Sequence, residues 1–561
     1  MRGRRRARPA PRAAEHAVGT RPPPDLVERA RSLLRERRFA DAAGLLDALH
    51  REAPEDPELN TLLGQASLAL GDTESALDHF NLALHYDPHG EAALYGRAEA
   101  LERRGESALA ESAYEAFLVR NPAHRGATIA LAWKLYRRGK RDAAARRLEE
   151  FLAVDPLAKE ALSLLGLILA REYGEFARGE QLLRRALECD AGLDAARANL
   201  GWVLGETRQY DAALDCLAAV LARRPDDHET RLMRAHLNLK RGEFAAGWDE
   251  FEARHHSADA VARPGAAPRW NGEPLEGRTL LVAAEQGIGD QIMFASCLPD
   301  LLSDARTRGA CCVVEAEHRL VPMFERSFAG VTVRAPGAPR PGRSDAPVAA
   351  DFEIPIGSLP AMYRRTRDAF PDHRGYLKAE PARVAHWRRR LGELGPRPHV
   401  GISWRGGAPG NRRELRSVAL EHWAPLLREC GTAVSLQYGD HRDEIGRVSD
   451  STGVKLVHWP EVLDDYDDTA ALVCALDLVI SVCTAIVHLS GALGRPVWVL
   501  VPWAPEWRYL AHGDRMPWYP SARLFRQRIA GDWGPVLGEV LRQLCARQLE
   551  GEADALGQFL P

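Results

Sequence analysis

Residues 280–295 read LLVAAEQGIGDQIMFA. An apolar run breaks at Gly287-Ile288-Gly289 and delivers one acid, Asp290. Two readings compete. Asp is a good helix N-cap, and Gly-x-Gly turns end many strands that do no chemistry. A carboxylate at the end of a buried strand is also where an α/β sheet places a reacting group. The surrounding chain has to choose between them.

Downstream, 278–284 and 311–316 read as strands, with a helix expected over 291–308. Short strands follow at 331–337 and 351–357, then a helix plus connector at 382–398. Five more strands are expected at 399–404, 433–439, 454–459, 477–482 and 495–502, alternating with helical runs such as 420–430 and 467–476. Apolar strands alternating with helices predict parallel sheets buried on both faces. The connector divides two α/β domains of similar size, 278–385 and 386–530, and 531–561 closes the chain as a helix capped by Asp532.

Three loops gather polar residues. Asp290 follows the first strand. The loop 404–417, WRGGAPGNRRELRS, combines three glycines with Arg405, Asn411, Arg412, Arg413 and Arg416. Guanidinium groups suit phosphate oxygens, and Arg405, next to the strand end, is the best placed. In VISVCTAIVHLSGALGRPVWVL a strand ends at Val482 and Cys483-Thr484 open a helix with His488 one turn in. The free N–H groups of such a first turn attract anions, Thr484 caps the helix or donates to a phosphate, and His488 shares its face. A histidine so placed is more often packed in a core than a ligand. Asp465-Tyr466-Asp467 superficially matches a metal motif, but Asp468 or Thr469 reads as the cap of the next helix, and no metal site is expected.

Ahead of this region the period changes. Prolines fall at Pro54, Pro88, Pro122 and Pro156; after one inserted residue the slot holds Ala191, then Pro225. Twelve residues before each slot stand Ala42, Ala76, Ala110, Ala144, Gly179 and Ala213. Gly71, Gly105, Gly139, Gly174 and Gly242 mark the turns between paired helices. Small residues allow close helix approach, glycine relieves the turn and proline ends the second helix. The pattern resembles the tetratricopeptide repeat (TPR), with six repeats and a partial seventh in an α-solenoid over 25–258. Such stacks commonly bind extended peptides on a concave face, or act as spacers. Residues 1–24, rich in Arg and Pro, are expected to be a disordered basic tail, and 259–277 a turn-rich linker.

The formal net charge of −3 gives no reason to expect nucleic acid as a partner. Nine cysteines without a C-x-x-C pair predict reduced thiols and a cytoplasmic location. The most apolar stretch, 470–503, is too punctuated by Asp477, His488 and Arg495 to span a membrane.

EQGIGDQIMFASCLPDL, VGISWRGG, SLQYGD and VISVCTAIVHLSGALGRPVWVLVPWAPEWRYL together resemble the heptosyltransferase-like domain of glycosyltransferase family 9, as found in bacterial proteins that join it to N-terminal TPRs. That resemblance implies a GT-B fold, two facing Rossmann-like domains with a nucleotide sugar between them, and inverting transfer without a metal or other cofactor. It implies Asp290 as general base. Gly287 and Gly289, then Trp404, Arg405 and Gln437, and finally Cys483, Thr484 and His488 are the donor-binding positions it implies. The family usually has Asp-Thr where this chain has Cys483-Thr484, which removes a carboxylate expected near the donor sugar. Two functions follow: a glycosyltransferase whose repeats recruit a protein acceptor, or a TPR scaffold whose transferase domain no longer turns over.

Overall fold

The computed structural model describes residues 22–257, 267–336, 349–407 and 413–557, so most of the expected tail, part of the expected linker, Asn411 and Arg412 lie outside the described residues. The chain forms two compact units, 1–199 and 200–561.

The first unit is a run of helical hairpins, from Pro24–Arg35 with Phe39–Glu52 to Lys159–Glu172 with Phe176–Cys189. Ala42, Ala76, Ala110 and Ala144 are fully buried where paired helices touch. The packing there leaves no room: a Cβ on Gly64 or Gly96 would come within 2.6 or 2.3 Å of the Phe80 ring wedged between them. Gly71, Gly105, Gly139 and Gly174 all have positive φ, as the turn requires. The two slots of that series without glycine hold Arg37 (φ 59°) and Arg208 (φ 64°), so the geometry persists where the residue type does not.

Helix Asp194–Glu206 begins before the unit boundary and pairs in sequence with Tyr210–Arg223; His228–Arg241 and the eight-residue Phe244–Phe251 follow. After them the second unit builds two sheets. The first contains β1 (Thr279–Ala283), β2 (Cys311–Glu315), β3 (Thr332–Arg334) and β4 (Phe352–Pro355), all parallel, in the order β3-β2-β1-β4. The second contains β5 (His399–Ser403), β6 (Thr432–Ser435), β7 (Leu456–Val457), β8 (Leu478–Val482), β9 (Val497–Val501), β10 (Arg515–Met516) and β11 (Tyr519–Arg526). Its order is β10-β11-β9-β8-β5-β6-β7. Strands β5 to β9 are entirely parallel, as expected; β10 and β11 lie outside the expected set, and β10 runs antiparallel to β11, making the sheet mixed. The helix expected over 291–308 is also different. It starts at Ile288, passes through a tight turn at Ala295–Cys297 and ends at Ser303. Strands β5, β8 and β9 are buried along their whole length, as continuous apolar runs require. The C-terminal helix is Gly534–Gly557, and the Gly534 N–H donates to Asp532 at 3.2 Å.

Candidate active site

Each sheet has a point where strand order reverses. In the first, β1 has β2 on one side and β4 on the other; in the second, β5 and β8 are neighbours whose successors lie on opposite sides. In open α/β sheets ligands bind outside the carboxyl ends of strands at such points. The loops that leave β1, β5 and β8 there carry the groups singled out in the sequence: Asp290, Arg405 and the Cys483–His488 turn.

Asp290 is not a cap. Gly287 holds the N-cap position of helix Ile288–Phe294, and Asp290 lies in its first turn. The glycines of this turn serve space rather than φ, because the left-handed residue is Gln286 (φ 59°). A Cβ on Gly289 would lie 3.1 Å from His488 Cδ2 and 3.4 Å from Ala485 Cα, so the helices leaving β1 and β8 meet there. On Gly287 it would lie 3.4 Å from Asp290 Oδ2.

Asp290 Oδ1 lies 2.7 Å from Arg508 Nη2, in the loop after β9, with both side chains largely buried. The contact is an ion pair off the hydrogen-bond axis: Oδ1 and Arg508 Nε make no aligned hydrogen bond among the described residues. Arg508 Nη1 holds Glu506 at 2.7 Å, and Glu506 also pairs with Arg416. Charges thus alternate along Arg416, Glu506, Arg508 and Asp290. Burial pushes the Asp290 carboxyl above the usual aspartate range; Arg508 pulls it down, and Glu506 pushes it up again. Arg508 loses to burial too, yet two carboxylates hold its charge more firmly than usual. The partners differ because the cation has two counter-ions and the carboxylate one. No motif or period in the sequence marks Glu506, Arg508 or Arg416 for this role: Glu506 and Arg508 stand at a single short turn, Trp507–Tyr509, too short to carry a period. The only signal is an alternation of charge just past a strand end.

Thr484 caps helix Ala485–Ala492, its hydroxyl accepting from the Ile486 N–H at 3.3 Å and lying 3.0 Å from Ser481 Oγ. His488 is buried, with Nδ1 3.1 Å from the Tyr519 hydroxyl, and burial with the nearby Arg508 charge keeps its ring neutral far below its usual pKa. Cys483 is buried, its thiol 3.7 Å from the Leu500 carbonyl, and burial pushes it up to about 12. It is therefore a poor nucleophile.

The groups after β5 divide. Arg405 remains partly exposed and pairs with Glu444 at 2.6 Å. Trp404 and Gln437, by contrast, do not offer side chains to a ligand. The Trp404 ring is fully buried in the core. Gln437 Oε1 accepts from the N–H groups of Trp404 (3.0 Å) and Arg405 (2.8 Å) and from Ser403 Oγ (3.2 Å), and Nε2 donates to the Arg405 carbonyl at 3.3 Å. Its amide clamps the loop that displays Arg405.

The acids of 465–468 are committed to structure. Asp465, rather than Asp468 or Thr469, caps helix Tyr466–Ala475; Asp467 pairs with Arg326, and Asp468 accepts from Trp387 Nε1 at 2.9 Å. No group of three or more His, Cys, Asp or Glu among the described residues is arranged to hold a metal ion. No helix among them is long and apolar enough to cross a membrane, and all nine cysteines are free.

The last helical hairpin contacts the loops of the site. Arg254, just after helix Phe244–Phe251, pairs with Glu285 at 2.7 Å, and Glu285 also accepts from the Gly357 N–H at 2.8 Å. Trp248 is fully buried, donates through Nε1 to the Arg364 carbonyl at 2.9 Å and meets the Trp507 ring edge-on at 5.4 Å. Glu285 lies in the loop that leads to Asp290, and Trp507 is the neighbour of Arg508.

A tetratricopeptide-repeat family model matches residues 27–91, 68–125, 129–194 and 199–259, so the N-terminal region consists of TPR repeats, ahead of the α/β region. The chain belongs to the same family as protein FlbA of Caulobacter vibrioides, to which it is 34% identical over 437 residues, 74% of this chain and 72% of that one. Among solved structures, a tetratricopeptide repeat protein from Parabacteroides merdae is 18% identical (42% of this chain, 93% of that one, TM-score 0.36). A chain of the APC/C hetero-tetramer Cut9-Hcn1 is 19% identical (42% of this chain, 53% of that one, TM-score 0.35).

Proposed function

We propose that the second unit is an inverting, metal-independent glycosyltransferase that moves a sugar from a nucleotide sugar to an acceptor hydroxyl. We propose further that the chain acts in the cytoplasm and that its repeats recruit a protein acceptor. The observation that carries the reading is Asp290 itself. It holds no cap, it stands where a strand-order reversal opens a ligand position, and its burial favours a proton-accepting carboxyl. As base, Asp290 takes the proton of the acceptor hydroxyl, a step that contributes about 10²–10⁴-fold. The departing diphosphate gains negative charge, which the first turn of helix Ala485–Ala492 and the guanidinium groups of Arg405 and Arg508 would meet. The donor and its leaving group follow from the family 9 resemblance.

The second reading, a TPR scaffold without turnover, is favoured by the pairing of Asp290 with Arg508 and by Cys483 in place of an acid. A panel of nucleotide sugars added to the full chain separates the two. A ligand at 100 times its Kd raises stability by about 2.7 kcal/mol, so one donor should raise Tm by several degrees and then be consumed on addition of acceptor. A panel in which no donor raises Tm or is consumed would leave the scaffold.

A further inference from the structure

We infer that Arg508 is a shared cation: it neutralises Asp290 until a nucleoside diphosphate enters, then turns to the phosphates, so that the donor itself frees the base. This rests on the reading of the site as a nucleotide-sugar site.

Three observations carry it. First, the Asp290–Arg508 pair joins the loops that leave the two sheets, one from β1 and one from β9, so it ties together the carboxyl ends where such sheets bind ligands. Second, the pair is incompletely bonded. Asp290 Oδ1 is approached off-axis and Arg508 Nε has no partner among the described residues, leaving a donor on a planar fork suited to a phosphate oxygen. Third, Arg508 does not depend on Asp290 alone. Its Nη1 holds Glu506, which Arg416 also neutralises, so the guanidinium can pivot away from Asp290 without stranding a carboxylate at its other end. The guanidinium stays paired throughout because it exchanges one anion for another, and the carboxylate it leaves gains the acceptor hydroxyl as its hydrogen-bond donor. A base masked until the donor arrives would also be kept from acting on water beforehand.

Calorimetry on the full chain with UDP, GDP, ADP and CDP as probes tests it, comparing wild type with Asp290→Asn, Arg508→Gln and the double variant. Asp290→Asn removes the competing anion, so the diphosphate that binds should bind about tenfold more tightly. Arg508→Gln should weaken it by roughly 10- to 100-fold, the worth of one charge-assisted hydrogen bond. The double variant should match Arg508→Gln, because without the cation the carboxylate has nothing to withhold. If Asp290→Asn binds no better than wild type while Arg508→Gln binds worse, Arg508 is an ordinary binding residue and the sharing is wrong. If both variants bind like wild type, the pair is structural. If wild type binds none of the probes, the nucleotide reading itself fails and this inference falls with it. Should Arg508→Gln not fold, Asp290→Asn against wild type decides alone.

Discussion

Asp290 is pulled two ways, by the cost of burying its charge and by the attraction of Arg508, and burial wins. A carboxyl whose folded pKa lies above its unfolded one keeps its proton longer in the native state. Native stability therefore falls as pH rises from the ordinary aspartate range, about 4, through the raised value. Asp290→Asn is neutral throughout and lacks that loss. The Tm of wild type minus that of Asp290→Asn should thus decrease as pH is raised from about 4 to 7. A difference that grows with pH would mean that Arg508 outweighs burial. At this scale the sequence was half legible. A strand ending in small residues and an acid marked Asp290, and the Thr484 cap could be read from its neighbours. Arg508 and Arg416 could not, because their roles come from contacts made 218 and 90 positions away, with Asp290 and Glu506. Trp404 and Gln437 lie within motifs that resemble a donor site, yet packing turns one ring inward and spends the other amide on the backbone.

The helical turns show how far a period can be trusted. Proline, small residue and glycine recur together, and each falls where hairpin geometry needs it. Arg37 and Arg208 show the turn imposed on residues that pay for it, since the left-handed region costs a non-glycine residue about 1–2 kcal/mol. They differ in compensation. Arg208 donates from Nε to the Trp503 carbonyl at 2.9 Å and lies 4.0 Å over the Trp503 ring, whereas Arg37 is exposed. Arg37→Gly should therefore stabilise the first unit by about 0.5–1 kcal/mol, net of glycine's unfolded-state entropy, and raise its Tm by about 2 °C. Arg208→Gly should give no such gain. Destabilisation by Arg37→Gly in a thermal melt would contradict this. Elements with less period were harder to read. The start of the helix at Ile288 is hidden in the sequence by its glycine-rich first turn, and β10 and β11 are hidden because Pro517 and Pro520 break the apolar alternation that signals a strand.

At the scale of the molecule, the sequence set its boundary at a turn-rich linker, 259–277, because composition changes there. The compact unit begins earlier, at 200. Helix Phe244–Phe251 looks like one more repeat, but its Trp248 and Phe251 pack with Phe294, Trp507 and Trp518 in the core of the α/β region. A periodic pattern shows that a helix belongs to the array and is silent on what its outer face buries. The end of the array is thus part of the body that carries the candidate site, and Arg254 and Trp248 hold the loops of Asp290 and Arg508 in place. Two fragments test this most directly, 191–561, which keeps the last two hairpins, and 263–561, which begins inside the expected linker. Each is followed by thermal melt and by calorimetry with the nucleoside diphosphate that the full chain binds. The fragment 191–561 should melt cooperatively and bind as the full chain does. The fragment 263–561 exposes Trp507, Trp518 and Phe294 and should aggregate or lose both properties; if it melts cooperatively and binds with undiminished affinity, the repeats are a separate module and the site owes them nothing.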